Sequence, residues 1–171
     1  MRPIQAAITT AAAAVAVVAT IAVAPSASAV SYVHNDCTSS DTSHPIHCFR
    51  IHYNSRSETT EMSQSACLAT RHSRSNEDGY SPNGATFINF VFGAFPSDSY
   101  GGMQHPCDGT GSGQTVYHNA ASAWNQDSYA GYTIYANTGY SGTSKYYPKA
   151  DGYARNLGSG LKNHNGSHKR S

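Results

Sequence analysis

The chain has 171 residues, enough for one hydrophobic core, and its 11 Lys and Arg stand against 10 Asp and Glu for a net charge of +1. That balance excludes a general electrostatic drive toward nucleic acid or an anionic membrane surface. Charged residues are only 12% of the chain, while Gly and Tyr number 15 and 12; this excludes a charged helical bundle and points to a turn-rich β protein.

In chain order, residues 1–29 read as a signal peptide. Arg2 is followed by an uncharged, Ala- and Val-rich run from Ile4 to Ala24, then Pro25 and the small-x-small triplet Ala27-Ser28-Ala29. Cleavage after Ala29 would leave a secreted, extracellular chain beginning at Val30, with no further membrane contact. Residues 30–47 read as an irregular N-terminal leader. Cys48 to Tyr53 reads as a first strand stopped by Asn54-Ser55, and Asn76-Glu77-Asp78-Gly79 as a turn. The Phe-rich stretch from Ala85 to Phe95 is the strongest buried strand. After a Gly-rich loop, Tyr132-Thr133-Ile134-Tyr135 and Ser144-Lys145-Tyr146-Tyr147 read as strands on either side of the turn Asn137-Thr138-Gly139. A final short strand follows Gly158-Ser159-Gly160.

All four cysteines lie beyond the signal segment: Cys37, Cys48, Cys67 and Cys107. An even count in an exported chain argues for disulfides. Of three possible pairings, Cys37–Cys48 with Cys67–Cys107 is favoured, because the first pair brackets a short His/Ser loop. By the chain-entropy argument, a closed loop of about 40 residues contributes roughly 4 kcal/mol and one of about 11 roughly 3 kcal/mol.

Two segments repeat: Val116-Tyr117-His118-Asn119-Ala120-Ala121-Ser122 and Leu161-Lys162-Asn163-His164-Asn165-Gly166-Ser167. Before them, Phe49 to Ser55 parallels Tyr132 to Thr138. The spacing Tyr135-x4-Tyr140-x-Gly142 resembles the aromatic turn of βγ-crystallin Greek-key motifs, in which the Gly permits a turn that a Cβ would disfavour. Residues 48–171 resemble secreted actinobacterial proteins of the metalloproteinase-inhibitor family. The resemblance implies an all-β, βγ-crystallin-like double Greek-key sandwich, with motif one at about 48–128 and motif two at about 129–171. The first motif is elaborated over residues 56–112, and His52 and Ser57 stand where aromatics are expected.

The resemblance also implies a calcium-type segment in each half. Asn119 and Ser122 belong to one, Asn163 and Ser167 to the other, and their oxygens are hard donors. Neither segment holds a carboxylate, and these residues equally suit turn-holding hydrogen bonds. The nine His show no H-E-x-x-H, and no G-x-S-x-G occurs. Glu58, Glu61, Glu77 and Asp78 read as surface loop residues, and most of the His as solvated. The seven Tyr from Tyr129 to Tyr153 suit core packing or, alternatively, a polymer-binding face.

The expected function is a secreted peptidase-inhibitor-like binding protein, monomeric and without catalytic residues, whose partner is a secreted protease. Its inhibitory loop has no motif; the stretches held by Cys67 and Cys107 are the stiffest candidates. The alternatives are a structural or calcium-binding extracellular protein and a cell-surface or carbohydrate-binding toxin-like module.

Overall fold

The computed structural model describes residues 29–37, 48–59, 63, 65–94, 107 and 109–171. The signal-peptide reading therefore lies outside the described residues except for Ala29. The same holds for Glu61 and for most of the loop before Cys107.

The described residues are all β and contain no helix. The strands are β1 (Ala29–Val33), β2 (Asn35–Asp36), β3 (Phe49–His52), β4 (Cys67–Thr70), β5 (Thr86–Phe90), β6 (Ser122–Asn125), β7 (Tyr132–Asn137), β8 (Ser141–Tyr147), β9 (Arg155–Asn156) and β10 (Ser167–Arg170). The expectation of an irregular leader over 30–47 is corrected for its first residues: β1 runs parallel to β5 from Ala29↔Thr86 to Val33↔Phe90, while residues 38–47 lie outside the described residues. β2 adds to the edge of β4.

The largest sheet has the order β2-β4-β3-β6-β9, and the next has the order β10-β7-β8. β7 and β8 form the hairpin that the Asn137-Thr138-Gly139 turn forecast, with Gly139 at φ 69° and Tyr140 at φ 62°. The two sheets meet where Phe49 of β3 stacks on Tyr132 of β7, ring centroids 4.3 Å apart. Ile51, Leu68, Phe90, Phe92, Val116, Ile134, Tyr147, Leu157 and Leu161 belong to the same buried cluster.

The halves exchange edges. β9, late in the chain, pairs with β6 of the first half. In return Arg74 of the first half bridges His168 in β10. The repeat in the sequence has a structural counterpart. His118 N–H donates to Asn165 C=O at 2.9 Å, and Asn163 N–H donates to Ala120 C=O at 2.8 Å. His118 and Asn163 both take the left-handed conformation, at φ 59° and 57°. Such conformations are uncommon outside Gly, so their recurrence in the two segments marks one local structure built twice.

Both disulfides form as favoured from the sequence. Cys37 and Cys48 have Cα atoms 6.2 Å apart, and Cys67 and Cys107 5.4 Å apart. Two buried disulfides fit an oxidising compartment. Among the described residues, no helix is long and apolar enough to cross a membrane.

Candidate functional site

The repeated Asn/Ser segments place Ser122 and Ser167 at the starts of β6 and β10, opposite His52 and Tyr135 in register. Ser122 Oγ donates to Asn54 C=O at 2.6 Å, and Ser167 Oγ donates to Asn137 C=O at 2.6 Å. Ser167 Oγ also accepts from Tyr140 N–H at 3.0 Å. Both serines are buried, and they pin the chain just after β3 and within the β7–β8 turn. Asn119 Nδ2 donates to Thr115 C=O at 3.1 Å, bracing its own turn.

Asn119 and Asn163 do line one hollow of about 270 Å³, together with Tyr53, Asn54, Ser55, Ala121 and Lys162. This lining is a poor match for calcium. It offers no carboxylate, and it brings Lys162 to the space a divalent cation would fill. The four residues named from the sequence do not converge: Asn119 and Asn163 share the hollow, while Ser122 and Ser167 each face a carbonyl of a different turn.

A second cluster joins His52, Cys67 and Cys107, whose ligand atoms lie within 4.8 Å of one another. The two sulfurs are bonded to each other, so neither is a thiolate able to hold a metal. His52 is buried, and neither ring nitrogen has a hydrogen-bond partner. Burial holds its pKa down at about 3, aided by the Arg50 charge and opposed by the Ser65 backbone. His52 is therefore a neutral core residue beside the disulfide, and the expectation of a solvated side chain is corrected here.

The third cluster corrects two more expectations. Glu77, expected on a surface loop, is fully buried, as is His168. His168 Nδ1 lies 2.7 Å from Glu77 Oε1. Asn165 Nδ2 donates to Glu77 Oε2 and, at 2.7 Å, to Val116 C=O. Three residues before Glu77, Arg74 pairs with Asp36 of β2. The Glu77–His168 pair thus ties the first half to the last strand from inside the core. A single sequence carries no signal for it, since Glu77 and His168 are 91 residues apart.

The tyrosines divide between core and surface. Tyr132 and Tyr147 are buried, and burial pushes both phenols well above their ordinary pKa. Tyr146, the neighbour of Tyr147 on β8, is 57% exposed, as strand alternation requires. Tyr129 is 79% exposed, with Arg71 over its ring at 5.8 Å. Tyr146 lies against Gly131, where an added Cβ would collide with its hydroxyl. Gly131 is two residues from Tyr129, so the two exposed rings flank one short stretch of chain. That stretch is anchored by Asp127, which is buried and accepts from Arg170 Nη2 at 2.9 Å and from Tyr129 N–H at 2.9 Å.

Comparison with family models, curated proteins and solved structures returns no match.

Proposed function

We propose that this chain is a secreted, βγ-crystallin-like double Greek-key protein that binds and inhibits extracellular peptidases without catalysing a reaction. The carrying observation is the exposed pair Tyr129 and Tyr146 on a frame braced by two disulfides. Exposed Tyr offers a large amphipathic contact at low entropy cost, and a stiff frame limits what is lost on binding. The exchange of β9 and of Arg74 between the halves supports the double Greek key, as do the matched turns at Ser122 and Ser167. The donor chemistry of the Asn119–Asn163 hollow favours a version of this protein that works without calcium.

The test is titration of the purified protein against a panel of secreted metalloproteases. The expected result is stoichiometric inhibition of at least one. Tyr129→Ala and Tyr146→Ala each weaken it about tenfold while the melting temperature stays unchanged. Full peptidase activity across the panel at micromolar protein would overturn the proposal.

A further inference from the structure

Three cations gather where β9 crosses to the first half's sheet. Arg56 follows the turn after β3, Lys145 lies in β8, Tyr153 precedes β9 and Arg155 begins it. Together with Asn156 they line a hollow of about 300 Å³. Tyr153 stands against both guanidinium groups, with the Arg155 and Arg56 Cζ atoms 4.5 Å and 5.3 Å from its ring centroid. Asn156 holds the rim: its side-chain oxygen accepts from Arg56 N–H at 2.6 Å, and its carbonyl accepts from Lys145 Nζ.

The charges around this hollow do not balance. Asp151 neutralises Arg155, accepting from Nη2 at 3.0 Å. Arg56 and Lys145 have no carboxylate partner among the described residues, and Arg56 Nη1 is buried without a hydrogen-bond partner. Lys145 registers this crowding. Its pKa is lowered first by burial, then by the Arg155 and Arg56 charges, with Asp151 only partly offsetting them. Two uncompensated cations therefore face one small open space, with a guanidinium donor already desolvated.

We propose that this hollow binds a doubly charged oxyanion, with phosphate as the type ligand. Two negative charges match the two excess positive ones, whereas a single carboxylate would leave one cation unanswered. The guanidinium fork of Arg56 suits two oxygens of a tetrahedral anion, and Lys145 supplies a point charge to a third. The Tyr153 ring sits against both guanidinium groups; Arg155 commits its Nε and Nη2 to Asp151, so the N–H groups of Arg56 are the ones left for the anion.

The experiment is calorimetric and NMR titration of the full chain at pH 7.5 with inorganic phosphate, glycerol phosphate, acetate and chloride at equal ionic strength. The expected result is saturable phosphate binding, with amide shifts confined to the neighbourhoods of residues 56, 145 and 153–156. Acetate should bind about tenfold more weakly, and Arg56→Gln and Lys145→Gln should each lower phosphate affinity about tenfold. Tighter binding of glycerol phosphate than of inorganic phosphate points to an esterified group as the occupant. Binding of inorganic phosphate alone identifies the free ion. No saturable binding by about 10 mM phosphate, roughly tenfold above a millimolar dissociation constant, overturns the site, as do equal shifts with acetate and chloride. The parent-protein NMR arm decides even if a variant fails to fold.

Discussion

Replacing Glu77 by Ala tests whether the buried polar cluster, rather than apolar packing alone, joins the two halves. The carboxylate meets His168 Nδ1 at 2.7 Å, and Glu77, Asn165 and His168 are all buried. Its removal leaves the His168 Nδ1 group without a partner, whereas Asn165 Nδ2 keeps Val116 C=O at 2.7 Å. If the pair is ionic, breaking it costs about 3–5 kcal/mol. If it is a neutral hydrogen bond, the orphaned group costs about 1–3 kcal/mol. At roughly 2–4 °C per kcal/mol for a chain of this size, the ionic case lowers the melting temperature by about 6–20 °C. Thermal unfolding followed by near-ultraviolet circular dichroism measures this directly. Glu77→Gln, which keeps the shape and one acceptor, should lose less than Glu77→Ala. A Glu77→Ala protein within about 1 kcal/mol of the parent, the lower end of the neutral case, would refute the idea that this cluster couples the halves.

The remaining tests concern one histidine, two matched serines and one glycine. His52 stays neutral in the folded state down to about pH 3 but takes up a proton near pH 6.5 when unfolded. Its contribution is therefore intact above pH 6.5 and is lost as pH falls toward 3, at about 1.4 kcal/mol per unit, or about 2 kcal/mol by pH 5; denaturant midpoints for His52→Asn should lack this slope between about pH 5 and 6.5. Ser167→Ala should destabilise more than Ser122→Ala, by about 1 kcal/mol in urea melts, because Ser167 also serves the Tyr140 N–H at 3.0 Å. Gly166→Ala should cost about 3 kcal/mol or more in the same assay, since its Cβ would sit 2.6 Å from the Ala136 carbonyl oxygen and 2.7 Å from the Asn137 carbonyl carbon, both rigid backbone.

Much of the strand framework was legible, because its signals are local. The β-branched and aromatic run Tyr132-Thr133-Ile134-Tyr135 forms most of β7, and the Gly-containing turn behind it forms the hairpin. The repeated segments ending in Ser122 and Ser167 share a backbone feature, a left-handed residue at His118 and at Asn163. The cysteine pairing was readable because one candidate loop was short. What stayed hidden depends on distant partners. Glu77 lies in a polar turn sequence, and its burial is compensated by Asn165 and His168 from the other end of the chain. His52 looks like an exposed strand residue until β4 and β6 close over both its sides. The Arg56–Lys145–Arg155 gathering exists only because β9 crosses between sheets, and strand exchange leaves no mark on hydrophobic periodicity.

That crossing bears on how the chain comes to be folded. The sheet built on β3 is not finished until Arg155 and Asn156 arrive, and the sheet built on β7 borrows Arg74 from far upstream. Neither half can close its own edges, so a chain emerging amino end first has no early resting point. Long-range closures of this kind delay folding until most of the polypeptide is present. Under the proposed export, such lateness keeps the chain threadable until translocation is over, and it then makes assembly a single cooperative event.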